Sequence, residues 1–301
     1  MKMNLTIIMV NYKCDKNKLN ACLKSINIKA KVLIVDHSHD LKQDQIDIPN
    51  NISLEIIKNK NLGNGAGINY GIENAKTKYV LYLDIDTILS DNFFIKLENA
   101  VNVVQGFAVI APKINNFYDD KKLKRYGNLS ISRFFYNKFF YKIKKETKLP
   151  ENVNHVFFVS GSIMLINKEL ILNKNIKFDE NIFMFFEEDD FFHQCFKLNL
   201  KIFLIDNIEA IHLDGSVLDN TLNYECFKKW HWEWSKYYFL DKHYNKILIL
   251  FFALKDLIKF YIKIIFYYYL DKKKLKIFQS RIDGLISFYL KRSKKSFNFF
   301  Y

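Results

Sequence analysis

Several features that would assign the chain to a particular class of protein are scarce or missing. Its 301 residues include three Pro and nine Gly, whereas half are hydrophobic and 26% are charged. Because this much apolar material can form a packed core, a disordered, collagen-like or low-complexity protein is excluded. The length suffices for one large domain, or for one domain with an appended segment.

Cysteine is also scarce and widely spaced. The four cysteines form no Cys-x-x-Cys pair and have no histidine at the spacing of a zinc site; they are Cys14, Cys22, Cys195 and Cys226. We therefore expect reduced, buried thiols and a cytoplasmic protein.

Long hydrophobic runs are missing too. The first apolar run, Leu5 to Val10, is shorter than the hydrophobic region of a secretion signal. The longest run, residues 247–254, is followed at once by Lys255 and Asp256, whereas a bilayer span needs about 20 apolar residues. We expect neither a signal peptide nor a transmembrane helix.

Charge is plentiful but unevenly distributed. The net charge is +14, of which residues 228–301 hold +12 and residues 1–227 only +2. In this basic and aromatic tail, Lys255, Lys259 and Lys263 recur every four residues, so a helix would carry them as a stripe beside an apolar face. That pattern is typical of a helix lying on an anionic membrane surface. The alternative is a helical hairpin packed on the main domain or on a second subunit.

A second basic and aromatic segment covers residues 116–150. It contains ten Lys or Arg, three Asp or Glu and nine Phe or Tyr, and it lacks a clear periodicity. We interpret it as a variable insertion, either a loop that meets the substrate or membrane or a plain surface loop. Neither basic segment has a nucleic-acid-binding motif, so no nucleic-acid partner is expected.

Short apolar runs alternate with helical segments in the first half of the chain. The runs are residues 5–10, 31–36, 53–57, 79–84 and 107–112. Strands that are apolar on both faces and separated by helices predict a mostly parallel sheet covered by helices. The fold class is therefore α/β.

Polar residues follow three of these predicted strands. Asn11 ends the first, Asp36 the second, and Asp84 and Asp86 the fourth. Ligands of parallel α/β sheets bind beyond the carboxyl ends of the strands. These side chains therefore mark the predicted site.

The Asp-Ile-Asp sequence has a specific chemical interpretation. Asp84 and Asp86 are two residues apart, so both carboxylates can lie on one side of the sheet edge while Ile85 points into the core. Two close carboxylates repel unless a cation joins them, and Mg²⁺ or Mn²⁺ bridging to a phosphate is the natural occupant. A strand-end turn in which Asp caps a helix is the alternative.

A glycine-rich stretch precedes the fourth strand. GNGAG at 63–67 fails the dinucleotide-binding pattern, because Ile68 replaces the third glycine and no strand immediately precedes it. What remains is a helix start at which the backbone around Asn61 and Gly63 can approach a ligand closely.

Four consecutive acids open a predicted helix in the later part of the chain. They are Glu187, Glu188, Asp189 and Asp190. One or two of these acids could simply complement the helix dipole. Four acids directly after the apolar run FMFF favour a functional use, such as a general base. His212 follows another strand, and beside a carboxylate pair it is a candidate third metal ligand, with a structural histidine as the alternative.

Seven motifs occur in a fixed order over about residues 4–216. They are TIIMVNYK, VDHSHD, NLGNGAGINYGI, LDID, FVSGSIMLI, FDENIFMFFEEDDF and IHLDGS. This set resembles the inverting family 2 glycosyltransferases of GT-A fold, especially bacterial rhamnosyltransferase-like members. The segment HWEWSKYYFLDKHY is similar to the helix that follows their catalytic domain. The resemblance implies a Rossmann-like, mostly parallel sheet flanked by helices.

The resemblance also implies roles for the residues that bind the donor. Asp36 would accept a hydrogen bond from N3–H of uracil or thymine. Asp84 would lie by the ribose and the metal, and Asp86 would bind the Mg²⁺ or Mn²⁺ that holds the diphosphate, with His212 completing the metal or diphosphate site. Gly161 would line the sugar pocket. Further residues assigned to donor binding are Asn11, Asn61 and Gly63.

Glu188 occupies the second position of the family's Glu-Asp motif, and the residue at that position is usually the catalytic base. Glu187 and Asp190 lie beside it, and because Glu replaces the commoner Asp, the choice among Glu187, Glu188 and Asp189 stays open. Asn64 stands where rhamnosyltransferase-like members usually have an aromatic residue.

The implied reaction is direct displacement of a nucleotide diphosphate from a sugar, with inversion at the anomeric carbon. A UDP- or dTDP-sugar would be the donor, and a saccharide linked to polyprenyl diphosphate the acceptor, in bacterial surface-polysaccharide synthesis. We expect a catalytic domain at 1–225, followed by a helical extension at 226–301 that contacts the inner face of the cytoplasmic membrane or forms a homo-oligomer. The alternatives are a basic scaffold that binds membrane or nucleic acid and, less favoured, a nucleotidyltransferase.

Overall fold

The computed structural model describes residues 3–116, 149–213 and 221–292. The predicted insertion at 116–150 lies almost wholly outside these ranges, as do Gly215 and Ser216 of the IHLDGS motif.

The chain divides into two compact units. Unit 1 consists of Met1–Asn61, Ala66–Phe178 and Phe191–Val217, and unit 2 consists of Leu62–Gly65, Asp179–Asp190 and Leu218–Tyr301. The acidic segment that precedes residue 191 thus groups with the C-terminal helices. The predicted domain boundary after residue 225 stays a prediction.

Unit 1 is built on a single sheet. Its described strands are β1 (Leu5–Asn11), β2 (Ala30–Asp36), β3 (Ile52–Lys58), β4 (Tyr79–Leu83), β5 (Thr87–Leu89), β6 (Phe107–Asn116), β7 (Val153–Val156), β8 (Ile163–Asn167) and β9 (Lys201–His212). All five predicted strands are present, and their observed ends lie within four residues of the predicted ends.

The sheet has a parallel half and a mixed half. Its order is β3-β2-β1-β4-β8-β6-β9-β5, with β7 beside β9. The first four strands in this order are parallel, so their carboxyl ends lie at one edge. β8 runs antiparallel to β4 and β6, whereas β6 and β9 are parallel. The predicted α/β class is confirmed.

Helices cover the sheet because its strands are apolar on both faces. They are α1 (Lys16–Ser25), α2 (Asn64–Asn74), α3 (Phe93–Val103), α4 (Lys168–Asn173) and α5 (Glu187–Lys197). Alternation along β1 sends Ile7 into one core, with Leu19 of α1 and Leu97 of α3, and Ile8 into the other, with Ile72 of α2.

The glycines of α2 have a packing role. A Cβ atom on Gly67 would lie 2.8 Å from side-chain atoms of His37 and Val10, and one on Gly71 would lie 3.1 Å from Ile8. Glycine therefore lets α2 approach β1 more closely than any other residue would permit.

The C-terminal part of unit 2 consists of three described helices. They are α6 (Leu222–His243), α7 (Lys246–Tyr267) and α8 (Lys272–Tyr289). Side chains of Thr221, Asn245 and Asp271 accept hydrogen bonds from backbone N–H groups in the first turns of these helices, as N-cap residues do. None of the described helices has the length and apolar character needed to cross a bilayer.

Candidate functional site

The ends of β1 and β2 are joined by a buried polar cluster in unit 1. Asn11 Nδ2 donates to Asp36 Oδ1 at 2.7 Å and to Ser38 Oγ at 3.1 Å. The backbone N–H of Cys14 donates to Asn11 Oδ1 at 3.1 Å. The two strands are in register at Asn11 and Asp36, so adjacent parallel strands bring these side chains together.

The Asp36 carboxylate also orders the turn that follows β2. Its Oδ1 accepts from the hydroxyl and backbone N–H of Ser38, at 2.7 and 3.1 Å, and its Oδ2 accepts from the Leu41 N–H at 3.1 Å. Burial raises the pKa of Asp36, but the hydrogen bonds from Ser38, Asn11 and Leu41 outweigh burial and lower the pKa below its usual value. Asp36 is therefore a buried anion.

Asp84 and Asp86 form the turn between β4 and β5, and His212 ends β9. β5 pairs antiparallel with β9 so that Thr87 lies opposite His212. The Leu213 N–H donates to the Asp86 carbonyl oxygen at 2.9 Å, and the Asp84 N–H donates to the Ser162 carbonyl oxygen at 2.9 Å. Backbone pairing thus fixes all three side chains at the sheet edge.

These three side chains have the spacing of metal ligands. His212 Nε2 lies 3.0 Å from Asp86 Oδ1 and 3.4 Å from Asp84 Oδ2, and ligand atoms of the three residues all lie within 4.8 Å of one another. Two ligands of one octahedral Mg²⁺ are about 3 Å apart in cis and about 4 Å apart in trans. Two carboxylates and one imidazole therefore fit a hard divalent cation such as Mg²⁺ or Mn²⁺.

The electrostatics of the cluster favour a cation as well. Burial lowers the pKa of His212, but hydrogen bonds and charges from Asp84 and Asp86 outweigh burial and raise the pKa to about 10. Burial raises the pKa of Asp86, but the His212 hydrogen bond and charge lower it overall. The imidazolium form of His212 supplies the positive charge that two adjacent carboxylates require, and a divalent cation can supply it instead.

Two further groups position Asp84. The Tyr82 hydroxyl donates to Asp84 Oδ1 at 2.6 Å. Sequence reasoning missed Tyr82, although its spacing of two residues from Asp84 along a strand is the signal for a shared face. Gly161 lies in the turn before β8, next to Ser162, whose carbonyl oxygen binds the Asp84 N–H.

The predicted base segment belongs to unit 2 and begins with an unusual backbone. Phe185 and Phe186 both have positive φ, 64° and 67°, directly before the first turn of α5. Such residues cost of order 1–3 kcal/mol each and persist only where packing holds them. Both rings pack against Trp232, with centroids 5.2 Å away. Strained backbone of this kind is common at functional sites.

The four acids of α5 occupy two different environments. Glu187 and Asp190 are buried, whereas Glu188 and Asp189 are half-buried. The Asp190 carboxylate lies 2.6 Å from His243 Nε2 and 2.9 Å from Lys242 Nζ.

Lys242 and His243 at the end of α6 therefore hold Asp190 in place. Burial raises the pKa of Asp190, but the hydrogen bonds and charges of His243 and Lys242 lower it below its usual value. Sequence reasoning missed both partners, which lie more than 50 residues from Asp190. Lys242 Nζ also lies 2.6 Å from Asp179 Oδ2.

The loop before α2 has two distinct parts. Asn61 ends a segment of unit 1, whereas Gly63 belongs to unit 2. Gly63 has φ of +112°, and a Cβ atom there would lie 2.3 Å from the Phe183 carbonyl oxygen. Glycine is therefore required at residue 63 by the backbone itself.

The structure thus places the predicted residues in two groups. Unit 1 holds Asn11, Asp36, Asn61, Asp84, Asp86, Gly161 and His212, and within it Asn11 contacts Asp36 while Asp84 and Asp86 contact His212. Unit 2 holds Gly63, Glu187, Glu188 and Asp190.

Comparisons with known proteins agree with this architecture. Residues 6–172, more than half of the chain, match the sequence profile described as Glycosyl transferase family 2. A search of curated protein sequences returns no match.

Two solved structures share the fold. A crystal structure of GalNAc-T7 with UDP, GalNAc and Mn²⁺ has a TM-score of 0.54 and 15% identity, covering 79% of this chain and 50% of that chain. A crystal structure of S. aureus TarS has a TM-score of 0.50 and 13% identity, covering 95% of this chain and 55% of that chain. The chain spans about half the length of each.

The matched segment covers β1 from its second residue together with β2 and β4, the strands that lead to Asn11, Asp36 and the Asp84–Asp86 turn. The family match and the fold shared with these two structures confirm the predicted GT-A architecture. The chain belongs to glycosyltransferase family 2.

Proposed function

We propose that this chain is an inverting glycosyltransferase that moves a sugar from a UDP- or dTDP-sugar to a saccharide acceptor. The observation that carries the proposal is the cluster of Asp84, Asp86 and His212 at a sheet edge, in a chain whose segment matching family 2 contains both aspartates. Such a cluster has the ligands to hold a divalent cation, which would in turn bind the diphosphate of a nucleotide.

The base of the nucleotide is proposed to bind at Asp36. Of the hydrogen bonds among the described residues, three reach Oδ1 and one reaches Oδ2. Because a carboxylate oxygen accepts at two positions, Oδ2 keeps an acceptor position for a pyrimidine N3–H. The depressed pKa of Asp36 keeps it an acceptor at neutral pH. Uracil and thymine present the same N3–H, so both are proposed.

Mg²⁺ or Mn²⁺ would be held by Asp84, Asp86 and His212, where it would stabilise negative charge on the departing diphosphate. Tyr82 orients Asp84 by its 2.6 Å hydrogen bond, and the β5–β9 pairing orients Asp86 and His212. The chain therefore holds its ligands in place through backbone pairing and one buried hydroxyl. Contacts of this kind orient metal ligands, and His212 would bind the cation as a neutral imidazole after losing a proton.

Glu188 is proposed as the general base that removes the proton of the acceptor hydroxyl. It is half-buried, whereas Asp190 is buried and engaged with Lys242 and His243. Asp190 is therefore proposed as a positioning residue for the first turn of α5, in which Glu187 is also buried. A single base with no protein nucleophile gives inversion at the anomeric carbon.

The finer substrate assignments are also proposals. The donor panel contains dTDP-rhamnose, UDP-hexoses, UDP-N-acetylhexosamines and UDP-galactofuranose. The acceptor is proposed to be a saccharide on polyprenyl diphosphate, made for bacterial surface polysaccharide at the inner face of the cytoplasmic membrane. Contact with that membrane, or with a second copy, is assigned to the C-terminal helices.

A turnover assay tests the proposal. Each donor in the panel is incubated with Mn²⁺ and extracted lipid-linked saccharides, and release of UDP or dTDP is measured for the natural protein, Asp86→Ala, Glu188→Gln and Asp189→Asn. We expect Asp86→Ala to abolish release and Glu188→Gln to lower kcat by roughly 100-fold to 10,000-fold while donor binding survives. Asp189→Asn is the matched control, because it removes the neighbouring acid. Loss of activity in Asp189→Asn with retention in Glu188→Gln would contradict the assignment of the base.

A further inference from the structure

One face of α7 is apolar and exposed along the whole helix. Its residues follow a spacing of three and four, which places them within one narrow arc of the helix surface. Each of them is more than half exposed; they are Ile247, Phe251, Leu254, Ile258, Ile262 and Ile265. We call this set the exposed face of α7. At 1.5 Å per residue it extends for about 27 Å.

The opposite side of the same helix is packed normally. Ile249, Ala253 and Phe260 are buried in the core of unit 2, and Asp256 is buried beside them. The exposed face is therefore not a consequence of a helix without a partner, because α7 already buries one side. Contiguous apolar surface of this extent marks an interaction site in a folded protein.

Charge along the edge of the exposed face indicates the kind of partner. Lys255, Lys259 and Lys263 form a row beside it, and Asp256 is the one acid among the α7 residues. Asp256 lies on the buried side and is paired with Lys236 at 2.5 Å. A partner must therefore offer an apolar surface next to negative charge.

The turn between α7 and α8 continues this pattern. Tyr268, Tyr269 and Leu270 are exposed, and Tyr269 is 92% exposed. After Asp271, which caps α8, come Lys272, Lys273 and Lys274, which are exposed as well. Tyrosine and lysine side chains are typical of a membrane–water boundary, where the apolar part is buried and the polar end stays in water.

A second copy of the chain, paired antiparallel about a two-fold axis, fits this surface poorly. In a two-fold, antiparallel pairing of two exposed faces, the lysine row of one helix lies beside the lysine row of the other. No acid on the exposed side of α7 would compensate this repulsion. A bilayer with anionic headgroups offers both requirements, apolar chains for the face and negative charge for the lysines.

We infer that the exposed face of α7 docks flat on an anionic lipid bilayer, with the lysine row at the headgroups. This inference rests on the proposed function for its purpose, because it would hold the enzyme where a lipid-linked acceptor lies. Its physical basis, the apolar face and its lysines, does not depend on any step of glycosyl transfer.

Vesicle sedimentation tests the inference. Binding to phosphatidylcholine vesicles is compared with binding to vesicles that also contain phosphatidylglycerol. One variant carries Phe251→Glu, Ile258→Glu and Ile265→Glu. The matched control carries Ile95→Glu, Leu172→Glu and Leu198→Glu, which are exposed apolar residues of unit 1 and give the same change of net charge.

A second variant, Lys255→Gln, Lys259→Gln and Lys263→Gln, leaves the apolar face intact. At about 1 kcal/mol per lysine near an anionic surface, we expect its affinity for phosphatidylglycerol vesicles to fall by roughly 100-fold. The α7 glutamate variant should lose binding by at least as much, and the control should bind within about three-fold of the natural protein. Circular dichroism verifies that each variant is folded.

The inference is overturned if the natural protein binds neither vesicle, or if both glutamate variants lose binding equally. A dimer that dissociates in the α7 variant, without vesicle binding by the natural protein, would assign the face to a second copy instead. UDP titration of the same proteins separates a failure of the bilayer inference from a failure of the proposed function. If the protein binds UDP but no vesicles, only the docking of the exposed face of α7 on a bilayer is overturned. If it binds vesicles but no nucleotide, only the proposed glycosyltransferase function is overturned.

Discussion

Lys236 lies in a buried ion network that joins α6, α7 and α8. Its Nζ atom is 2.6 Å from Glu233 Oε2 and 2.5 Å from Asp256 Oδ2, and its side chain is 3% exposed. Lys236→Met keeps the length of the side chain and removes its charge. Glu233 then retains Arg281 Nε at 3.2 Å, and Asp256 retains the Tyr237 hydroxyl at 2.9 Å.

The expected loss follows from the burial of the two carboxylates. Removing one partner of a buried ion pair costs about 3–5 kcal/mol, because the remaining charge stays buried without full compensation. A domain has a net stability of about 5–15 kcal/mol, so the change is a large fraction of the total. The remaining contacts of Glu233 and Asp256 place the expected value near the lower end of that range, about 3 kcal/mol.

The same network gives a dependence on pH. Burial raises the pKa of Asp256, but the charge and hydrogen bond of Lys236 outweigh it and lower the pKa overall. The stabilisation is therefore fully present above the unfolded pKa of about 3.9 and is lost as the pH falls through the lower folded pKa. In Lys236→Met the largest cause of the depression is gone and the Tyr237 hydrogen bond remains, so this loss of stability on the acid side should shrink.

Urea unfolding followed by tryptophan fluorescence measures these effects. The three tryptophans of the chain, Trp230, Trp232 and Trp234, all lie in α6, so the signal reports on unit 2. Lys255→Met is the matched control, because it removes the same charge from the exposed side of α7. A shift of less than 1 kcal/mol in Lys236→Met, equal to the control, would refute the reasoning.

Three further changes have expected outcomes. Gly284→Ala places a Cβ atom 2.4 Å from the Trp230 carbonyl oxygen, so we expect a loss of about 1–3 kcal/mol in the same urea experiment. Gly63→Ala combines a positive φ with a contact to the Phe183 backbone, and we expect a similar loss, measured by thermal unfolding. Asp190→Asn removes the negative charge that pairs with Lys242 and His243 at the end of α6. Because the first turn of α5 would then be misplaced, we expect kcat to fall by about 100-fold, with an unchanged Kd for UDP. An unchanged kcat would exclude a positioning role for Asp190.

The parallel half of the sheet could be predicted from sequence because its strands are short, apolar and followed by polar residues. β1, β2, β3 and β4 begin and end close to their expected residues. In the mixed half β6 was predicted, but the strand pairing could not be, since β5 has three residues and its pairing with β9 joins segments more than 120 residues apart. Apolar periodicity shows that a strand exists but does not specify its partner.

The metal cluster was predictable in part, because two of its three residues directly follow a short apolar strand. Asp84 and Asp86 follow a recognisable strand, and the motif order suggested His212. The antiparallel β5–β9 register that brings His212 to within 3.0 Å of Asp86 is a long-range property. The hydrogen bond of Tyr82 was readable from a two-residue spacing, yet it was missed because Tyr at that position also fits a buried core.

The acidic segment shows the limit of reasoning from a motif. The sequence alone does not distinguish the four consecutive acids from one another. The structure gives Asp190 two cationic partners on α6 and leaves Glu188 half-buried. Side-chain partners from a helix more than 50 residues away have no local signal. Nor does the positive φ of Phe185 and Phe186, which depends on packing against Trp232.

Calorimetric titration with nucleotides tests the central claim most directly. UDP, dTDP, GDP and CDP are each titrated into the natural protein and into Asp86→Ala, once with Mn²⁺ and once with EDTA. The donor site proposed at Asp36, Asp84, Asp86 and His212 predicts binding of UDP or dTDP that requires Mn²⁺ and is lost in Asp86→Ala. Folded protein that binds none of the four nucleotides with Mn²⁺ present would contradict it.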